Sequence, residues 1–194
     1  THTGDEQVSF KIAEDKGGKV LSIDSNGKLP GSAVSPFVQT KLPVMAEGRT
    51  LLSLDFYPYQ STGVGYIYLT DSLGETVLQI NIGATGNIQV NQTGSPQNLI
   101  PYKVNEWQKL GLIFDMETGN VDLMYNGETV KYGIASIDKD DITYLKIGAG
   151  RAYETRYLVD NITVDQAPAV IPESIQLSLN ELAMRRGEEV QLDY

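Results

Sequence analysis

Alternation of apolar and polar side chains is the feature that most limits the folds available to this chain. Short segments repeat it between residues 8 and 164; in one of them Leu52, Leu54 and Phe56 share a face. Glycine, asparagine and aspartate separate these segments roughly every 8–12 residues, as turns do in all-β proteins. The Asn-Gly pair at 126–127 is typical of a type I′ hairpin. Because each alternating strand has one apolar face to bury, the pattern predicts an all-β chain of about ten strands, folded as an antiparallel β-sandwich.

The composition changes after residue 165 and divides the chain into three parts. Residues 1–165 form the predicted β-sandwich domain. Residues 166–172 are predicted to be a linker, because they contain two prolines, which lack backbone donors. Residues 173–194 begin a new alternation but are too few to bury a core of their own. They are predicted to be the truncated start of a second domain; a C-terminal strand packed on the sandwich is the alternative.

Composition also excludes several classes of function. The 15 basic and 25 acidic residues give a formal net charge of −10, which opposes binding to nucleic acid or to an anionic membrane surface. The chain has no cysteine and a single histidine, His2. A thiol nucleophile, a Ser-His-Asp triad and a zinc site with the usual ligands are therefore not expected. No apolar run approaches the roughly 20 residues that a membrane-spanning helix needs.

Four segments carry a family resemblance. They are 105–110 (Asn-Glu-Trp-Gln-Lys-Leu), 115–119 (Asp-Met-Glu-Thr-Gly), 121–127 (Val-Asp-Leu-Met-Tyr-Asn-Gly) and 157–164 (Tyr-Leu-Val-Asp-Asn-Ile-Thr-Val). In this order they resemble the concanavalin A-like lectin/glucanase superfamily, in its laminin-G-like and carbohydrate-binding-module branch. The resemblance covers about residues 8–164 and implies a jelly-roll sandwich. It does not identify a ligand, because this architecture serves lectins, glycosidases, lyases and spacers alike.

The C-terminal part carries a second resemblance. Segment 172–177 (Pro-Glu-Ser-Ile-Gln-Leu), together with 186–188 (Arg-Gly-Glu), resembles the opening of a bacterial Ig-like (group 2) domain. Such domains are common in secreted and surface proteins of several domains. The two resemblances together imply an extracellular bacterial protein, secreted or on the cell surface, that acts on polysaccharide.

The polar sides of the middle strands and one loop supply the candidate glycan-binding residues. The set is Tyr57, Tyr66, Tyr68, Gln79, Asn81 and Lys146, with Arg151 and Tyr153 from loop 148–156. Aromatic rings stack on the C–H faces of sugars, and amides and guanidinium groups bond hydroxyls or carboxylates, so the mixture favours a neutral or acidic glycan. Alternatively, the strand residues form a solvent-facing sheet, where tyrosine is common, and the loop residues are solvated charges.

Asp160 is the candidate metal ligand. By alternation it shares a face with Leu158 and Ile162, which predicts that its carboxylate lies on the core side. A buried carboxylate needs a hydrogen-bond partner, an ion pair or a metal. In related jelly-roll modules the matching Asp helps bind a structural calcium together with an acidic residue near the N-terminus. The resemblance therefore implies calcium held by Asp160 and an N-terminal acidic residue; Glu6, Glu14 and Asp15 are available, and Glu6 is the predicted ligand. A hydrogen-bonded Asp, or an ion pair with Arg151 or Arg156, is the alternative.

Two further patterns address catalysis. The Glu-x-Asp-x-x-Glu strand of glycosidases of this fold is absent. Segment 144–148 (Tyr-Leu-Lys-Ile-Gly) resembles the Tyr-Phe-Lys-x-Gly strand of jelly-roll polysaccharide lyases of the alginate type, and 79–81 (Gln-Ile-Asn) resembles their Gln-Ile-His. Asn81 replaces the histidine that serves as base or charge neutraliser there, and the matching arginine-rich strand is missing.

These patterns lead to a functional prediction with two alternatives. The chain is predicted to be a non-catalytic carbohydrate-binding module of a secreted bacterial protein, and not itself an enzyme. It would bind a polysaccharide or oligosaccharide and associate with other domains of the parent protein. One alternative is a structural spacer that packs on a catalytic domain of the same protein. The other is a jelly-roll polysaccharide lyase.

Overall fold

The computed structural model describes residues 8–15, 18–27, 36–92, 94–150 and 154–168. Within these ranges the chain forms thirteen strands and no helix. The strands are β1 (Val8–Asp15), β2 (Gly18–Asn26), β3 (Phe37–Met45), β4 (Arg49–Pro58), β5 (Gly65–Thr70), β6 (Thr76–Ile82), β7 (Asn87–Val90), β8 (Gln97–Pro101), β9 (Gln108–Asp115), β10 (Asn120–Tyr125), β11 (Glu128–Ser136), β12 (Ile142–Ala149) and β13 (Glu154–Gln166). No helix in the described part has the length and apolar character needed to cross a membrane.

The strands form two sheets. One has seven strands in the order β1-β2-β13-β4-β9-β10-β11, and the other has six in the order β3-β12-β5-β6-β7-β8. All pairings are antiparallel. The antiparallel β-sandwich predicted from alternation is confirmed.

Clear alternation is missing from three strands, and all three lie at sheet edges. These are β3 and β8 at the two edges of the six-stranded sheet and β11 at one edge of the seven-stranded sheet. Pro43 lies in β3 and Pro101 ends β8, while Gly133 in β11 has a φ of 58°. An edge strand pairs on one side only, so it tolerates proline and bulges that blur the alternation.

The core lies between the sheets and holds the largest apolar side chains. Phe56 and Phe114 from the seven-stranded sheet and Ile67 from the other are fully buried. Tyr157 is also fully buried, and its hydroxyl donates a hydrogen bond of 2.5 Å to Gly148 O on β12. Burial raises the pKa of Tyr157, so the phenol remains a donor that ties β13 to the six-stranded sheet.

The last described residues remain attached to the seven-stranded sheet. β13 continues to Gln166, Ala167 N donates to Arg49 O at 3.1 Å, and Arg49 Nη1 donates to Pro168 O at 3.1 Å. The rest of the predicted linker and the predicted Ig-like segment 173–194 lie outside the described residues.

Candidate functional site

The outer surface of the six-stranded sheet gathers most of the predicted ligand residues. Two cross-strand rows run over it: Gln39, Lys146, Tyr68 and Gln79 in one, and Gly148, Tyr66, Asn81, Gln89 and Asn98 in the other. Asn91 extends the first row, because its backbone N donates to Gln79 O at 3.0 Å. We call this surface the polar face and define it by Tyr66, Tyr68, Gln79, Asn81, Gln89, Asn91 and Lys146.

Strand alternation positions these side chains. Ile67 and Leu69 of β5 and Ile80 of β6 are buried against the opposite sheet. Because neighbouring residues of a strand point to opposite faces, Tyr68 and Gln79 project outwards. The predicted grouping of Tyr66, Tyr68, Gln79, Asn81 and Lys146 on a common surface therefore agrees with the registers.

Side-chain amides on the polar face bond to one another. Gln79 Nε2 donates to Asn81 Oδ1 at 2.8 Å, and Asn91 Nδ2 donates to Gln79 Oε1 at 3.4 Å. In the second row Gln89 Nε2 donates to Asn98 Oδ1 at 2.8 Å. Each amide nitrogen carries two hydrogens, so such a network orients its members and retains donors for a ligand.

Aromatic rings and one ammonium group complete the polar face. The Tyr66 and Tyr68 rings lie 5.7 Å apart between centroids, inclined at 36°. Lys146 Nζ lies 5.2 Å from the centroid of the Phe37 ring on β3, a cation–π distance. Tyr66, Tyr68 and Lys146 are half-buried, so a ligand on this surface would contact parts of each.

Gly148, in the second row of the polar face, allows β3 to approach β12 closely. A Cβ atom at Gly148 would lie 2.4 Å from Pro36 O, which is too close for any other residue without backbone movement. Gly148 is the cross-strand neighbour of Tyr66 in the second row, so no side chain lies beside Tyr66 on that strand. Glycine at this position therefore serves the close packing of β3 on β12.

Tyr57 lies on the opposite outer surface, apart from the other candidates. It belongs to β4 of the seven-stranded sheet, where its ring centroid is 5.0 Å from Tyr59 and 5.6 Å from Trp107. Trp107 Nε1 donates to Asp15 Oδ2 at 2.9 Å. The Arg156 guanidinium lies 4.3 Å from the centroid of the Tyr59 ring. We call these four residues (Tyr57, Tyr59, Trp107 and Arg156) the aromatic cluster.

The prediction that Asp160 lies on the core side is wrong. Tyr157 and Val159 face the core, and the register of β13 against β4 shifts between Asp160 and Thr163, so Asp160 is half-buried on the outer side. Asp160 Oδ1 accepts a hydrogen bond of 2.8 Å from Asn161 N. The bulge, with Asn161 at a φ of 48°, is what interrupts the alternation.

Asp160 has one other carboxylate as its direct cross-strand neighbour. Asp55 is its cross-strand partner, and the Asp55 Oδ2 atom accepts a hydrogen bond of 2.8 Å from Asn161 Nδ2. No group of three or more potential ligands of the Asp, Glu, His or Cys type occurs among the residues searched, which exclude Glu6. Calcium binding by Asp160 and Glu6 stays a prediction that a melting temperature with calcium or chelator would test.

Some other candidates lie beyond the described ranges, and some site features lack a sequence signal. Arg151, Tyr153 and Glu6 are outside the described residues. Phe37 and Gln39 are missed because β3 has no clear alternation. Their place beside segment 144–148 comes from the pairing of β3 with β12, which the sequence does not indicate.

Comparison with solved structures places the sandwich among jelly-roll proteins. The alginate lyase AlgAT5 from polysaccharide lyase family 7 matches with a TM-score of 0.59 at 13% identity, over 82% of this chain and 82% of the lyase. The family 7 alginate lyase AlyA1 from Zobellia galactanivorans matches with a TM-score of 0.54 at 17% identity, over 86% of this chain and 83% of the lyase. A sialidase matches with a TM-score of 0.62 at 12% identity, over 81% of this chain but 17% of the sialidase.

At these identities the matches show a shared fold. No protein-family model matches the sequence, and a search of curated proteins finds no match. The jelly-roll sandwich that the sequence resemblance implied agrees with these structural neighbours.

The prediction of a non-catalytic carbohydrate-binding module is contradicted, and with it the prediction that the chain is not an enzyme. The matches to AlgAT5 and AlyA1 span more than four fifths of both partners. The sandwich therefore corresponds to almost the whole of those lyases. The lyase alternative, based on segments 79–81 and 144–148, is the better supported one.

Proposed function

We propose that the chain is a jelly-roll polysaccharide lyase that cleaves a uronate-containing glycan by β-elimination on its polar face. The observation that carries the proposal is the row in which Lys146, Tyr68 and Gln79 are direct cross-strand neighbours in the middle of the sheet. The structural neighbours AlgAT5 and AlyA1, described as alginate lyases, support the choice of reaction.

β-Elimination needs three groups around the uronate. A base removes the proton at C5, its electron pair forms the C4=C5 double bond, the C4–O4 bond breaks, and the leaving O4 receives a proton. Lys146 and the amide N–H groups of Gln79 suit the uronate carboxylate, whose neutralisation favours loss of the C5 proton. Asn81 is only 3% exposed and orients Gln79 by accepting its hydrogen bond. Tyr68, between Lys146 and Gln79, would accept the C5 proton as a phenolate and then, as a phenol, donate a proton to the leaving O4.

The polar face departs from the alginate-type pattern, and the departure leaves both proton transfers to a tyrosine. Asn81 stands where the Gln-Ile-His strand has histidine, and an amide donates hydrogen bonds but does not act as a base at neutral pH. The arginine-rich strand is missing, so Lys146 and the exposed Lys41 on β3 supply the positive charge in the described part of this surface. The proton transfers are therefore assigned to Tyr68. Because polysaccharides of this kind are extracellular polymers, we propose extracellular action as well.

The test is the appearance of unsaturated sugars. The protein is incubated with a panel of uronate-containing polysaccharides, and the ultraviolet absorbance of the C4=C5 product is followed. Tyr68→Phe is expected to lower the rate by about 100-fold or more, because it removes the proton-transferring hydroxyl and keeps the ring. Tyr132→Phe is the matched control, because Tyr132 is 78% exposed on β11 of the other sheet.

Two outcomes would overturn the proposal. One is the absence of unsaturated product from every polymer while circular dichroism shows an intact β-fold. The other is full activity of Tyr68→Phe, which would remove the phenol from the mechanism.

A further inference from the structure

A cavity of about 700 Å³ opens at the Gln79 end of the first row of the polar face. Its polar lining includes Thr76, Gln79, Asn91, Gln92, Ser136 and Asp138. Gln92 Nε2 donates to Ser136 O at 2.9 Å and so joins the two sheets at one wall of the cavity. The volume falls within the range of about 300–1,000 Å³ that is usual for small-ligand sites.

Asn91 presents an unused acceptor in this cavity lining. Its Nδ2 donates to Gln79 Oε1, while its Oδ1 is buried and has no hydrogen-bond partner among the described residues. Buried carbonyl oxygens are almost always hydrogen-bonded in folded proteins. A donor such as a sugar hydroxyl would complete this oxygen when the half-buried Asn91 side chain turns towards the cavity.

The charge around the cavity opposes a carboxylate ligand. Asp138 contributes a carboxylate to the lining, and none of the described lining residues is basic. Lys139, the neighbouring cation, is engaged by Glu75 in an ion pair. The formal net charge of −10 adds a long-range repulsion against a polyanion.

We propose that this cavity is a subsite for a neutral, hydroxyl-bearing sugar residue. The inference rests on the proposed function, which places a uronate beside Lys146. It adds the class of substrate: a heteropolysaccharide in which neutral sugars neighbour the uronate. Asn91 lies three strand spacings from Lys146, or about 14 Å, so the two residues contact different sugar units of one chain. A polymer of uronate alone would place a carboxylate next to Asp138.

The test measures binding without turnover. Mannotetraose, xylotetraose, cellotetraose and tetragalacturonate are titrated into the isotopically labelled protein, and chemical shifts are followed by NMR. At least one neutral probe is expected to shift the side-chain amide of Asn91, and to do so at a lower concentration than tetragalacturonate. Asn91→Ala should weaken that binding about tenfold, through loss of one hydrogen-bonded contact. The matched control Asn120→Ala, exposed on β10, should not change it.

A second variant tests the charge argument. Asp138→Asn removes the carboxylate from the lining and should strengthen binding of tetragalacturonate while leaving the neutral probe unchanged. The inference is overturned if no neutral probe shifts the Asn91 amide, or if tetragalacturonate shifts that amide in the unaltered protein at a lower concentration. Failure of the lyase proposal is distinguishable from failure of this inference. A protein that binds the neutral probe but forms no unsaturated product would contradict the uronate site and leave the neutral subsite standing.

Discussion

The two outer surfaces of this sandwich carry tyrosines at similar strand positions but differ in how their polar groups are engaged. On the polar face, Tyr66 and Tyr68 stand beside amides that retain N–H donors. In the aromatic cluster the polar groups are paired within the protein: Trp107 donates to Asp15, and Arg156 Nε lies 3.2 Å from Asp24 Oδ1.

The difference follows from where each group lies in its sheet. The polar face occupies β12, β5, β6 and β7, which are central strands of the six-stranded sheet, so its side chains stand in regular rows. The aromatic cluster lies where β4 ends and the chain turns, and residues from several segments converge there. A ring packed on other rings and an arginine stabilises the fold, whereas a ring in a regular row is available to a ligand.

The largest effect on this comparison is expected from Gly148→Ala. The added Cβ would lie 2.4 Å from Pro36 O and force β3 away from the Lys146 row. We expect the free energy of unfolding to fall by up to about 3 kcal/mol and lyase activity to fall with it. Chemical denaturation measures the first. Gly18→Ala is the control, because its nearest contact would be an ordinary 3.6 Å; equal stability of the two variants would contradict the close approach of β3.

A smaller effect is expected from Trp107→Ala on the other surface. It removes the ring contact with Tyr57 at 5.6 Å and the hydrogen bond to Asp15. The free energy of unfolding should fall by about 2 kcal/mol. Glycan cleavage under conditions where the variant is folded should not change. If cleavage or glycan binding is lost as well, the aromatic cluster takes part in function and the contrast between the two surfaces fails.

The smallest effect is expected from Tyr102→Phe, beneath the polar face. Tyr102 OH donates to Gly83 O at 2.8 Å in the turn between β6 and β7. At pH 7 the variant should lose about 1 kcal/mol of stability with that bond. Burial raises the pKa of Tyr102 to about 12, above the value of about 10 in an unfolded chain.

The raised pKa of Tyr102 predicts how the stability difference between the unaltered protein and Tyr102→Phe changes with pH. Above pH 10 the unfolded chain releases the proton first, so the stability that Tyr102 contributes is complete below about pH 10 and is lost towards pH 12. The gap between the unaltered protein and Tyr102→Phe should therefore shrink over this range in denaturation curves. A gap that stays constant from pH 7 to pH 12 would show that the phenol is not buried, and the exposed Tyr132→Phe should show no gap at all.

The interior strands of the sandwich were predictable because their alternation is local. In β5 and β6, apolar residues such as Ile67 and Ile80 repeat every second position, and this alone assigns Tyr68 and Gln79 to the outer side. The hairpin at Asn126 and Gly127 was predictable for the same reason, and both residues have the positive φ of a type I′ turn, at 52° and 92°.

Where alternation is interrupted, the prediction fails. Asp160 lies next to a β-bulge, and one extra residue moves every later side chain of the strand to the other face. The edge strands β3, β8 and β11 lack clear alternation, because prolines and bulges are tolerated where a strand pairs on one side only. The Asn-Gly turn at 126–127 was the one sequence signal for β11.

The sequence by itself determined the all-β sandwich, the outward position of the Tyr, Gln and Asn side chains, and the absence of cysteine and histidine chemistry from the described part. These follow from period-two polarity and from composition, which are local properties. The tertiary structure alone decided which outward residues meet. It separated Tyr57 from Tyr68, and it placed Gln79 between Lys146 and Asn91, because strand order and register join segments that are distant in the chain.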